Sequence, residues 1–249
     1  MLQWTGPGRA LVFVLAAASI WCLLSEMYGL CDMRTFFYAI LLPATVALCG
    51  IAVLDRARGD GRLWRAVVIG SAAGLVGAVA YDVFRLPFVF SHAWGLERFG
   101  VPQMPLYKVF PRFGALILGQ DLEQGANGPG SAWGAGYTLG AHLLGWAYHF
   151  SNGATFGVMF AAMYAGAQEA IGAVRAHARS RRHAIAWGIV MAVGIEICLL
   201  LSPYSKFFRI EQTTRFVVVT LTAHIIFGIG LGLWWVWQSH RWRLAPMAA

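Results

Sequence analysis

The chain has 249 residues, 59% of them hydrophobic and only 12% charged, with 11 tryptophans and a mean hydropathy of +0.61. This composition excludes a water-soluble globular domain and a disordered chain, and it defines a polytopic all-α membrane protein. A formal charge of +8 by itself suits a nucleic-acid binder, but no basic stripe interleaves with exposed aromatics, so nucleic acid is excluded as a partner.

A helix needs about 20 predominantly apolar residues to cross a bilayer, and six segments qualify in chain order: 10–29, 36–54, 66–89, 135–165, 184–202 and 216–238. Arg9 followed by the apolar run Leu11 to Leu24 has the parts of a signal peptide. No small-x-small cleavage site follows, and Trp21 before Cys22 spoils a lipoprotein-type site, so the run is expected to be a retained first helix. Residues 1–55 therefore form a transmembrane pair, and Cys22, Cys31, Cys49 and Cys198 are too scattered for a zinc site or a disulfide framework.

The third segment carries Gly70, Gly74 and Gly77, then Asp82, Arg85 and Pro87. An insert, 90–135, separates it from the fourth. That is too long for a simple connection, and its VFPRFGALILGQ stretch (109–120) reads either as an interfacial or re-entrant lid or as an ordinary outer loop. The glycine-rich stretch 125–136 that follows is flexible by composition.

The fourth and sixth segments share one pattern: His149 with Gly153 and Gly157, and His224 with Gly228 and Gly232. Spacings of four place each histidine and its glycines on one helical face, a polar point followed by a smooth stripe that lets another helix approach closely. The fifth segment carries Gly188, Ala192 and Glu196, with Pro203 just beyond it. Each histidine helix is thus preceded by an acidic one. Residues 66–165 and 184–238 read as two parallel copies of a two-helix unit, with 1–55 as an accessory pair and 239–249 as a cytoplasmic tail.

Orientation follows from the arginines. Arg9, the 56–65 loop, the 175–182 loop and the tail with Arg241 and Arg243 hold the excess of basic residues, while basic and acidic residues nearly balance in the alternate loops. By the positive-inside rule both termini are cytoplasmic, in a bacterial inner membrane.

Ionisable groups within a bilayer need a reason. At about 1.5 Å per helical residue, Asp82 and His142 fall roughly 6 to 10 Å below the outer surface, and Glu196, His224 and His149 about 12 to 20 Å below it. Asp82 and Arg85, spaced i, i+3, pair with each other or serve an anion site, with Arg85 also able to snorkel to the headgroups. Glu196 has no partner within a turn, so it must be protonated, wet, or paired across helices with His149, His224 or Arg85. His142 and His149 stand roughly 10 Å apart along one helix, too far for one metal ion. Paired histidines flanked by glycines admit a b-type haem, although the two differ in estimated depth. No nucleophile motif surrounds Ser151 and no catalytic residue is assigned.

Gly145-Trp146, His149-Phe150, Gly153 and Gly157, the proline-ended preceding helix, the long outer insert, and Ala223-His224 with Gly228 together resemble the YagU-like bacterial inner-membrane proteins, over roughly residues 66–238. This chain differs in its two additional helices at the start. The resemblance implies an inner-membrane helix bundle and implies no defined activity.

Three classes of function follow. The favoured one is a small-solute or proton-coupled permease whose site is built from Asp82, Arg85, His142, His149, Glu196 and His224 and opens to the outer side, with Gly70, Gly74, Gly153, Gly157, Gly228 and Gly232 packing the helices. The others are a haem- or metal-binding redox protein, and an assembly subunit whose stripes bind a partner helix or a second copy. The lipid bilayer is a partner in all three.

Overall fold

A computed structural model describes residues 4–120, 122, 136–172 and 181–241, with the backbone alone for 166–172 and 239–241. Asp121, Glu123 with the glycine-rich stretch as far as 135, the Glu169 side chain, Arg175, Arg179 and the tail beyond Arg241 lie outside the described residues.

The described residues form helices joined by turns and loops, with no strand among them. Five helices are long and apolar enough to cross a membrane: Gly6–Met27 (α1), Met33–Arg58 (α2), Arg62–Val89 (α3), Arg181–Leu201 (α6), and the Thr214–Gln238 part of Thr214–Arg241 (α8). Between them lie a 3₁₀ turn at Leu96–Phe99, the short helix Val109–Leu118 (α4), the 34-residue helix Leu139–Gly172 (α5), and Tyr204–Phe208 (α7). The predicted fourth crossing, α5, is long enough but is diluted by His, Ser, Asn, Thr and Gly, so it is not among the five. Its neighbours account for that polarity. α5 packs against α1, α3 and α4, and a helix face that meets protein does not have to match lipid.

The outer surface has the complementary character. Val14, Val46, Val53, Val79, Val83, Leu143, Val190, Leu201 and Val218 are large, apolar and exposed. Apolar side chains this numerous on the exposed faces of helices long enough to cross belong in lipid, and the chain is a multi-pass membrane protein.

Helices run past their predicted limits at the basic ends. α3 begins at Arg62 and α8 continues to Arg241, because hydropathy marks where a helix leaves the apolar phase, whereas hydrogen bonding continues beyond it. Two glycines in the left-handed region, Gly29 (φ 67°) and Gly61 (φ 68°), turn the chain between α1 and α2 and between α2 and α3. Side chains secure both turns. Met33 donates its N–H to the Glu26 carboxylate and Thr35 N–H donates to Asp32 Oδ1 (2.8 Å), which holds the Asp32 carboxyl below its usual range; Trp64 N–H donates to Asp55 Oδ2 (2.9 Å).

Backbone-to-backbone contacts fix the core. α3 meets α5 where Gly70 and Gly74 face Gly157 and Gly153: a Cβ on Gly70 would stand 2.7 Å from the Gly157 carbonyl oxygen, and one on Gly74 would collide with that of Gly153. α6 meets α8 in the same way, with Gly188 on Gly228, and a Cβ on Gly232 would lie 2.7 Å from Ile185 Cα. α3 also meets α8, because a Cβ on Gly77 would lie 2.8 Å from the Phe227 carbonyl. α1 is tied to α5 by polar contacts: Tyr148 Oη–H donates to the Ser19 carbonyl (2.6 Å), and Ser19 Oγ and Thr155 Oγ1 share a hydrogen bond of 2.6 Å.

The insert between α3 and α5 turns back into the bundle. Met104 N–H donates to the Phe88 carbonyl at 2.8 Å, Leu106 and Tyr107 are buried, and α4 lies on α5 with Gly114 against Ala141 and Phe110 against Gly145. The stretch predicted as an interfacial or re-entrant piece, or as an outer loop, is a buried helix turned back into the bundle, whose Phe110, Phe113 and Ile117 belong to the core. Lys108, just before it, has its ammonium pushed below the usual range by burial and then by the charge of Arg112.

Candidate functional site

A cavity of about 100 Å³ lies where α3, α5, α6 and α8 converge, with α1 and α4 closing its sides. By a water molecule's share of liquid volume, roughly 30 Å³, it has room for about three waters or one small solute. Arg85, His149, Glu196 and His224 line it; Asp82 stands just behind, joined to two of them.

On the α3–α5 side, His149 Nε2–H donates to Asp82 Oδ2 at 2.9 Å, and Asp82 Oδ1 lies 3.6 Å from Arg85 Nη1. These depths were expected to differ. α5 starts at Leu139 rather than 135, which removes about 6 Å of the expected offset at 1.5 Å per residue, and two opposed side chains bridge what remains.

Arg85 does not snorkel: it is buried at 3% exposure. Its Nη2–H donates to the Leu106 carbonyl, and its guanidinium lies over the rings of Tyr81 (4.6 Å), Tyr107 (5.3 Å) and Phe110 (5.5 Å). Aromatic faces stabilise a desolvated cation without satisfying its N–H groups. Nε and Nη1 of Arg85, Asp82 Oδ1 and Asn152 Oδ1 are all buried without a hydrogen-bond partner. Native interiors satisfy such groups, often through water or a ligand.

The α6–α8 side carries the second pair, His224 Nδ1 at 3.3 Å from Glu196 Oε2. The same nitrogen lies 3.0 Å from the Thr220 carbonyl. A carbonyl can only accept, so Nδ1 carries the hydrogen and Nε2 is the nitrogen that takes a further proton. Tyr81 stands between the two histidines, its ring centroid 4.9 Å from that of His224 and 6.1 Å from that of His149. Phe110 stacks on His149 at 4.0 Å, and Tyr107 Oη–H donates to the Asp82 carbonyl at 2.6 Å, so the returning insert covers the first pair.

Of the six predicted site residues, Asp82, Arg85, His149, Glu196 and His224 come together. His142, two turns before His149, does not line the cavity. Tyr81, Leu106, Tyr107, Phe110, Asn152 and Thr220 complete the surroundings and were not predicted. Tyr81 and Asn152 carried a signal, since they lie four residues before Arg85 and three after His149 on faces already marked as polar. Among the described residues no three His, Cys, Asp or Glu side chains cluster closely enough to hold a metal ion. No protein-family profile, curated protein or solved structure matches the chain.

Proposed function

We propose that this is a six-span bacterial inner-membrane permease for a small solute, coupled to protons, with both termini cytoplasmic and the cavity reached from the outer side. The observation that carries the reading is Arg85, a guanidinium on the cavity wall whose Nε and Nη1 are buried without acceptors. A desolvated cation with spare donors is an anion receptor by chemistry. Asp82 is its partner in the empty site. An entering anion competes for Nη1, and His149 then holds the carboxylate that has been displaced.

Two acid–imidazole pairs around one cavity give the proton a place on either side. Six spans follow if α5 crosses, which its length allows and its shielding by α1, α3 and α4 makes affordable. Sequence spacing supports the repeat: Gly74 precedes Asp82 as Gly188 precedes Glu196, and His149 precedes Gly153 and Gly157 as His224 precedes Gly228 and Gly232. The glycine ladders serve as each unit's packing seam.

The test is uptake by energised vesicles containing the wild-type protein or Arg85→Leu, Glu196→Gln, His149→Ala and His224→Ala. Each substitution should lower proton-driven accumulation at least tenfold. Wild-type behaviour in all four ends the reading.

A further inference from the structure

The two helix pairs contribute matching positions to the cavity wall with opposite chemistry. Aligning Gly74 with Gly188 and Gly153 with Gly228 sets Tyr81 against Ile195, Arg85 against Leu199 and Asn152 against Phe227, and all six line the cavity. The α3–α5 half presents a guanidinium, a phenol and an amide. At these three positions the α6–α8 half presents two aliphatic side chains and a phenyl ring, beside the Glu196–His224 pair and Thr220 that it also brings to the wall. A symmetric inorganic anion has no use for that second half, and a dianion such as phosphate calls for more than one cation.

Resting on the reading of this cavity as a solute site, we infer that its ligand is a small monocarboxylate with an apolar body, the carboxylate on Arg85 and Asn152 and the carbon chain against Ile195, Leu199 and Phe227. Arg85 supplies the selectivity for the anion, since its Nε has no hydrogen-bond acceptor in the protein and its Nη1 has only the ion pair with Asp82 Oδ1, at 3.6 Å. The apolar half supplies the selectivity for the tail. A volume of about 100 Å³ suits a tail of a few carbons. One carboxylic acid carrying its own proton is neutral, which removes the main cost of moving the anion through hydrocarbon.

The experiment is binding of radiolabelled butyrate to the purified full-length protein in lipid nanodiscs, with propionate, chloride, inorganic phosphate and laurate as competitors. Butyrate should bind saturably, be displaced by propionate, and resist chloride and phosphate. Arg85→Leu should weaken binding at least tenfold. Should that variant fail to fold by size exclusion, Leu199→Trp, which fills the apolar end and leaves every charge in place, should do the same.

Leu199→Arg repeats in the second unit the acid–arginine spacing of the first and should shift preference from butyrate toward succinate. Displacement by laurate but not propionate assigns the same carboxylate chemistry to a membrane-borne fatty acid. Folded wild type that binds neither butyrate nor laurate overturns the inference, as does binding indifferent to both Arg85→Leu and Leu199→Trp. If Arg85→Leu abolishes accumulation of another solute while no carboxylate binds, the ligand class fails and the permease stands. If butyrate binds but no variant alters flux, the reverse holds.

Discussion

Asp82 Oδ2 and His149 Nε2 stand 2.9 Å apart and join α3 to α5 beyond the contact of Gly74 with Gly153. Asp82 also faces Arg85, so removing its charge strands a buried guanidinium. Asp82→Asn is expected to destabilise the protein by on the order of 3 kcal/mol, the usual consequence of breaking a buried ion pair from one side. Adding Arg85→Met should restore part of the loss. Thermal unfolding in mild detergent measures both, and an unaltered midpoint for Asp82→Asn would contradict the pairing.

The glycine seams predict a sharp positional contrast. Gly74→Leu and Gly157→Leu place side chains where the partner's backbone stands, and a monodisperse protein should not be recovered from either. At Gly50 and Gly194 a Cβ meets nothing within 4 Å, so alanine there should leave yield and melting point unchanged. Equal tolerance at both kinds of position would mean that the helices do not touch as described.

Between α1 and α5 the effects should be small. Interhelical hydrogen bonds in membranes average about 0.6 kcal/mol, so Ser19→Ala, which removes the bond to Thr155, should lower stability by about that amount. Tyr148→Phe removes a buried hydroxyl that donates to the Ser19 carbonyl and also meets Asn152 and Cys22, and should cost about 1 kcal/mol or more. Unfolding by a graded denaturing detergent resolves the order, and a larger loss for Ser19→Ala than for Tyr148→Phe would reverse it.

Topology has a direct reading in thiol labelling. In a cysteine-free background, a cysteine at Glu97 should react with a membrane-impermeant maleimide applied from outside. Cysteines at Asp60 and Met247 should react only after permeabilisation. Labelling of the Met247 position in intact cells would mean that α5 does not cross and that the termini lie on opposite sides.

The polar centre was partly legible because a helix converts spacing into direction. His149 and His224, each one turn before a glycine stripe, had to face whatever those stripes approached, and Asp82 and Glu196 hold equivalent places on the partner helices. Direction within a face was less legible. His142 shares the nominal face of His149, yet two turns away it leaves the cavity, since a straight stripe drifts relative to a neighbouring helix. Tyr107, Phe110 and the Leu106 carbonyl could not be read at all. They reach Arg85 and His149 only because the insert folds back beside α3, and hydropathy carries no information about such a non-local return. The snorkelling alternative for Arg85 failed for the same reason: its carbonyl partner and its aromatic neighbours Tyr107 and Phe110 come from a segment more than 20 residues away.

The seams between α3 and α5 and between α6 and α8 have a mechanical corollary. Where carbonyl meets glycine there are no rotamers to swing, so neither crossing can act as a door. The aromatic side, with Tyr107, Phe110, Tyr204 and Phe216 around the cavity, is where rings can turn aside, so side-chain motion that widens the cavity is confined to that flank.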